Sequence, residues 1–372
     1  CRGGSQNVAL TNSQNSQNSQ NSQNSQNSQQ AVREVSQMLV SQALNIAREG
    51  IIDAGAPKTM TPHQKPLSPA KRLRRIEYDF AQMILLSDML DSLTVVPPPK
   101  DKSLPEIVVK ARNGTHETDL FKLNMPSPAD FRKELQLIMG YATLRPERLA
   151  EISVQTSDLI SFFASILPIQ PARARMIHYL LDLALNLSTA IVQRIKLGFD
   201  APRPDTLSDQ VQPLLPMPLH ASYPSGHATQ AFAVAMLLTL LTKPQDRPGK
   251  VEPDSQLFRM ATRIAVNRTV AGVHFPSDSV AGALLGITLA RWIAVRAGAM
   301  PQGCPSMTFD APLWGDEAHD HSRDFYLARL CEVMPGTHAC LKYAKHPVSV
   351  PASGLLEGVW EMASNEWSDR WS

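Results

Sequence analysis

Apolar residues recur at helical spacing along most of the chain. Between 31 and 49, Val32, Val35, Leu39, Ala43 and Ile46 share one stripe that stops at Gly50, which predicts a helix. Leu73 to Leu93 repeats the pattern through Ile76, Phe80, Ile84 and Leu90. Ser127-Pro128-Ala129-Asp130 supplies a cap, a first-turn proline and a first-turn acid for a third helix, through Phe131, Leu135 and Ile138 to Gly140. A fourth opens at Pro146 and reaches Phe163. A long fifth runs from Ala172 to Ile195, delivers Lys196 at its end and terminates at Gly198. Ala228 to Leu241 is apolar and helix-forming, and so is Val280 to Val295, where Gly282, Gly286 and Ala290 at four-residue spacing predict close packing against a neighbour. One stretch breaks the helical rule: Ile107-Val108-Val109-Lys110 is β-branched and Asn113-Gly114 follows as a turn, which predicts a short hairpin.

At 372 residues the chain can bury a substantial core. Asn12 to Gln29 is a Ser-Gln-Asn repeat without apolar content, so residues 1–30 are expected to be a disordered tether. Residues 31–170 then form an N-terminal helical region and 171–300 a central bundle. Residues 301–372 form an extension whose Trp360, Trp367 and Trp371 pack onto that bundle. The net charge of +2, with no basic patch interleaved with aromatics, excludes a nucleic-acid partner. No stretch offers the twenty or so apolar residues of a membrane span, because Arg291 interrupts the best candidate. Cys304, Cys331 and Cys340 lack metal-finger spacing and allow one disulfide plus one free thiol. His319-Asp320-His321 alternates faces on a helix and is not read as a metal site.

The candidate chemistry lies in three strings. Lys196 is followed by Arg203-Pro204, then comes Pro224-Ser225-Gly226-His227, then Arg268 with His274 and Asp278 beyond it. Three cations suit an anion with two to three negative charges, and Arg can give two parallel hydrogen bonds to one oxyanion while Lys leans on a single oxygen. Ser225 caps a helix start, and Gly226 lets that backbone approach an anion that the helix dipole also favours. His227 brings a titratable ring to the same turn. His274 precedes a proline-marked helix start, with Asp278 one turn on. A carboxylate accepting from Nδ1 leaves Nε2 as a lone-pair nucleophile or ligand.

These strings resemble the signature of the type 2 phosphatidic acid phosphatase and vanadium haloperoxidase superfamily: Lys-x6-Arg-Pro, Pro-Ser-Gly-His, then Ser-Arg-x5-His-x3-Asp. Asn267 stands where Ser usually precedes the Arg. The resemblance implies an all-α fold of packed helical bundles, with at most a short β-hairpin insertion, and an oxyanion pocket between helices within 171–300. It implies that Lys196, Arg203 and Arg268 bind oxyanion oxygens, completed by Ser225 and the Gly226 amide. His274 would bond to phosphorus or vanadium, Asp278 would orient it, and His227 would act as acid–base.

The same pocket serves two chemistries. As a haloperoxidase it would hold vanadate and use hydrogen peroxide and a halide, and as a metal-free acid phosphatase it would cleave a phosphomonoester, lipid phosphates included, through a phosphohistidine. His220, five residues before Ser225, is similar to bromoperoxidases of the superfamily, where a His at that offset lies near the vanadate; bromide or iodide is then favoured. Gln193 is neither the Trp nor the Arg expected three residues before the Lys, and Ser222-Tyr223 also occurs in soluble bacterial acid phosphatases. The third reading is a non-catalytic phosphate-binding envelope protein. Cys1 at the start resembles the lipid-anchored first residue of a mature bacterial lipoprotein, in the envelope or periplasm, or else marks a fragment end.

Overall fold

Two segments that are apolar on nearly every face sit at the centre, as they must if neither is to meet water. The computed structural model describes residues 37–48, 66–98, 105–242, 249–315 and 322–370, and the chain divides into two units, 1–65 and 66–372. In the first unit, helix α1 spans 37–48 and exposes Met38, Leu39 and Leu44. Cys1, the Ser-Gln-Asn tract expected to be a tether, Trp371 and His319-Asp320-His321 lie outside the described residues.

In the second unit the helices are α2 (Pro69–Leu73), α3 (Tyr78–Leu90), α4 (Pro128–Tyr141), α5 (Arg145–Val154), α6 (Ile160–Ala164), α7 (Arg175–Phe199), α8 (Pro204–Leu207), α9 (Gly226–Thr242), α10 (Gln256–Val270), α11 (Pro276–Arg296), α12 (Leu327–Val333) and α13 (Gly354–Ser368). The central pair is α9 and α11. A Cβ on Gly286 would lie 2.2 Å from the Thr229 carbonyl oxygen, and one on Gly282 would lie 2.6 Å from that of Ser225. Only glycine lets these two backbones approach so closely. Helices α7 and α10 pack on α9, and α13 docks on α7, burying Trp360 and part of Trp367. One hydrophobic core runs from Ala70 to Ala363.

The all-α expectation is wrong. A five-stranded mixed sheet flanks the helices in the order β1 (Leu93–Val96), β2 (Glu106–Asn113), β3 (His116–Asn124), β4 (Met307–Asp310) and β5 (Leu341–Tyr343). The anticipated hairpin is its β2–β3 portion. Strand β4 then adds parallel to β3, with Phe121 opposite Met307, and β5 pairs antiparallel to β4. Strands of four and three residues are too short to show a period of two, and the partner of β4 lies far away in sequence, so pattern alone does not reveal the sheet.

Other expectations need correction. The long fifth helix does not stop at Gly198; it ends at Phe199, with Asp200 left-handed at φ 51°. Gly198 serves packing instead, because its Cβ would come within 2.7 Å of Ile107 Cδ1 on β2. The helix expected over 73–93 is helical only over Tyr78–Leu90, with Leu73 closing α2 and Leu93 opening a strand, and the one expected over 146–163 is broken into α5 and α6. All three described cysteines are free, so none of them forms the disulfide that their number allowed. Helix α11 does reach the length and apolarity of a membrane span despite Arg291, yet that stretch is wholly buried within the unit.

Candidate active site

Five helix ends deliver the motif residues to one place. Lys196 comes from the last turn of α7, Arg203 caps α8, His227 opens α9, Arg268 closes α10, and His274 precedes α11 with Asp278 in its first turn. The start of α9 is tied to the start of α11 by the Ser225 N–H, which donates to the Asp278 carbonyl at 2.9 Å. Tyr223, fully buried, donates its hydroxyl to the Asn124 carbonyl at 2.8 Å and so anchors this turn to the end of β3. Lys196, Arg203, Arg268 and His274 are all nearly inaccessible to water.

On one side the cations close around two imidazoles. Lys196 Nζ lies 3.1 Å from His220 Nδ1 and donates to the Ala221 carbonyl at 2.8 Å. Arg203 donates through Nη1 to the Val273 carbonyl at 2.6 Å, and places Nη2 3.0 Å from His220 Nδ1 and Nη1 3.3 Å from His274 Nε2. Two cationic donors facing one ring nitrogen require it to be the lone-pair nitrogen. His220 therefore carries its proton on Nε2, and its 3.1 Å approach to the Ala221 carbonyl through Nδ1 is a contact without a hydrogen.

The tautomer of His274 is fixed from behind. Its Nδ1 donates to Asp278 Oδ2 at 2.9 Å, the Phe275 N–H donates to the same oxygen at 2.9 Å, and the Ser222 hydroxyl makes a short bond to it. Three donors on one oxygen hold the Asp278 carboxylate in place and leave the His274 Nε2 lone pair facing Arg203.

On the other side, Arg268 Nη2 donates to Gln155 Oε1 at 2.9 Å and to the Ile152 carbonyl at 3.2 Å, and His227 Nε2 donates to the Gln155 carbonyl at 3.0 Å. His227 thus keeps its lone pair on Nδ1. Asn267 donates to Gln155 Oε1 and Glu151 Oε2, both at 3.1 Å, and accepts from Arg148 at 2.8 Å. A Ser at 267 has too few atoms for these three bonds, so the departure from the family pattern has a local reason.

Electrostatics follow from three buried cations facing one carboxylate. Burial, then Arg203, lowers Lys196 to about 7. Burial, then Arg268, lowers His227 to about 3, and burial lowers Arg268 to about 10. His274 falls well below its ordinary range through burial and then Arg203, Lys196, His227 and Arg268, so all five groups share one field. Burial raises Asp278 to about 6 against the pull of its donors. Each cation's shift is what an anion would reverse. Space exists for one at the start of α9, where a Cβ on Gly226 would meet nothing within 4 Å. Ser225 is buried there, with its hydroxyl 3.4 Å from the Ala228 N–H.

Every residue singled out in the three strings, with His220, is therefore in one cluster. Sequence reasoning missed Gln155, and it noted Ser222 and Asn267 without assigning them a part. Among the described residues no cluster of His, Cys, Asp and Glu could hold a metal ion.

Comparison with known proteins agrees with this geometry. Residues 177–299 match the PAP2 superfamily model. It is similar to a vanadium-dependent bromoperoxidase of Ascophyllum nodosum, 30% identical over 136 positions. That match covers 29% of this chain and only 24% of the relative's length. Two solved structures are also similar in part: Aquifex aeolicus LpxE, at 27% identity covering 44% of this chain and 84% of that one, and a PAP2-type phosphatidylglycerolphosphate phosphatase of Bacillus subtilis, at 20% identity covering 44% and 81%. Both have TM-scores of 0.25, too low to bear on fold or activity.

Proposed function

We propose that this chain is an enzyme that seats vanadate in the cluster and oxidises bromide or iodide with hydrogen peroxide. The observation that carries the reading is His220, whose Nδ1 lies within hydrogen-bond reach of both Lys196 Nζ and Arg203 Nη2. This arrangement puts the ring proton on Nε2 of a residue that is itself exposed, and a neutral donor there would meet a halide without cancelling the cations. The likeness to a bromoperoxidase points the same way.

The residues fit the cofactor. Three cations and one carboxylate leave positive charge for a dianion, Gly226 leaves room, and His274 offers a lone pair. When bound, vanadate supplies a Lewis-acidic centre that activates peroxide for oxygen transfer to a halide. Lys196, Arg203 and Arg268 would bind the oxygens of the anion, with the Ser225 hydroxyl and the Gly226 N–H completing the cradle. His274 would hold the metal through Nε2, and Asp278 and Ser222 would keep its proton on Nδ1. His227 would take a proton from peroxide on its free Nδ1.

The second reading is a metal-free acid phosphatase, and the His274–Asp278 geometry favours it equally: Nε2 would attack phosphorus, the alcohol would leave with a proton from His227, and water would then cleave the phosphohistidine. His227 serves either reading, because a bound anion would raise the ring from the value of about 3 that burial and then Arg268 give it. A purely phosphate-binding protein has no need of either imidazole. Two assays on one preparation decide. Bromination of a dye that needs peroxide and vanadate loading, and falls at least about a hundredfold in His274→Ala, is the expected result. Release of phosphate from an aryl ester, suppressed by vanadate and without bromination, would assign the phosphatase instead.

A further inference from the structure

Helix α11 is buried along its length, but Arg291 is only half-buried near its end. A charge on such a helix needs a destination. The guanidinium lines a cavity of about 1010 Å³ that forms where this end of α11 meets β5, α12 and the 249–252 segment. Val251, Met300, Met334 and Tyr343 give it largely apolar walls. It shares no residue with the oxyanion cluster. Asp278 stands in the first turn of α11 and Arg291 thirteen residues on, about 20 Å along the axis at the rise of a helix.

Arg291 spends one N–H on the Gly249 carbonyl at 3.0 Å and lies beside the Tyr343 phenol, whose own proton goes to the Met334 carbonyl at 2.7 Å. Lys250 and Glu252 also line the cavity, and among the described residues the guanidinium makes no salt bridge. The guanidinium N–H groups not spent on Gly249 suit a planar or tetrahedral anion, and the apolar walls strengthen such a contact by keeping water away. The cavity is of the size that takes a whole small molecule.

We propose that this cavity is a second binding site, for an amphiphilic anion: an aliphatic or aromatic body held by the apolar walls, with a single carboxylate-like head on Arg291. Cys331 reports on it. It lines the cavity and is partly exposed, whereas Cys304 and Cys340 are buried. The test follows alkylation of Cys331 in the full chain by peptide mass spectrometry, with dodecanoate or dodecanol added below micelle-forming concentrations. Dodecanoate is expected to slow alkylation saturably and to half-protect at a concentration at least about tenfold below that of dodecanol, the worth of one charge-assisted hydrogen bond. Arg291→Gln should abolish that preference while leaving the oxyanion-site activity intact, and Ala344→Trp, which sets an indole into the cavity wall, should weaken protection by both. The proposal is overturned if dodecanoate protects no better than dodecanol in the unaltered protein, a comparison that depends on no variant folding. It is overturned equally if Arg291→Gln keeps the preference.

Discussion

Lys196 behaves unlike an ordinary lysine because water has been removed from around it while Arg203 stays close. Both effects disfavour its charged form, and together they bring it to about 7. A bound dianion acts in the opposite sense, so binding above that pH must take up a proton. Anion affinity should therefore fall as pH rises through 7, approaching about tenfold per pH unit. Sulfate or tungstate is the proper probe, since its own charge is constant there. The neighbouring groups do not confuse the window: His227 and His274 are neutral well below it, His220 is also lowered, and Asp278 titrates at about 6, on its acid side. Calorimetric titration of Lys196→Met should give weaker binding at pH 6 and a flat profile to pH 9, over roughly the range in which a free lysine stays charged. A flat profile in the unaltered protein would remove Lys196 from the pocket's charge balance.

At the scale of elements, the break between α5 and α6 matters more than either helix. Thr156, Ser157 and Asp158 satisfy themselves locally: the two hydroxyls donate to the Ser153 and Val154 carbonyls at 2.7 and 3.2 Å, and Asp158 accepts the Ser161 N–H at 3.0 Å. Such residues end helices by offering the backbone other partners. The end leaves the Gln155 carbonyl unused by the helix and free for His227. Gln155→Ala keeps that carbonyl but strips an acceptor from Arg268 and Asn267. It should cost about 1–3 kcal/mol in urea unfolding and weaken vanadate binding about tenfold, with Gln155→Glu weaker still because its charge cancels that of Arg268. Unchanged vanadate affinity in both variants would leave Gln155 a structural residue alone. The Thr-Ser-Asp run was visible in the sequence, but an apolar stripe continuing to Phe163 concealed it. The three motif strings were legible because each keeps its charged and titratable residues within a few positions. Gln155 was not, because its partners Arg268 and His227 lie more than seventy positions away in the chain. The sheet stayed hidden for the same reason, with Phe121 on β3 paired to Met307 on β4 across the intervening helices α4 to α11.

Across the whole second unit, one buried carboxylate ties the C-terminal residues to the site. Glu134 on α4 accepts from the Ser277 N–H at 3.1 Å and the Ser277 hydroxyl at 2.8 Å, beside His274 and Asp278, and from Arg323 Nε at 2.7 Å. Arg323 in turn donates to the Ala311 and Pro312 carbonyls at 3.0 and 3.2 Å and lies 3.4 Å from Asp130. Burial outweighs these partners and raises Glu134 to about 7 from 4.5. Between those two values the folded chain holds a proton that the unfolded chain has released. The contribution of Glu134 is therefore most favourable below pH 4.5, declines as pH rises, and is fully lost above about 7, a swing of about 3 kcal/mol. Glu134→Gln cannot ionise. Its amide NH2 must face Ser277 or Arg323, both donors, where the carboxyl presents an oxygen, so it should be the less stable protein at pH 5. Its deficit should shrink by roughly that swing at pH 8. Urea unfolding of both proteins at the two pH values measures this difference, in which the titration of Asp278 and the histidines cancels. Parallel stability curves would mean that Glu134 stays ionised throughout, and that Arg323 fully offsets the cost of burying it.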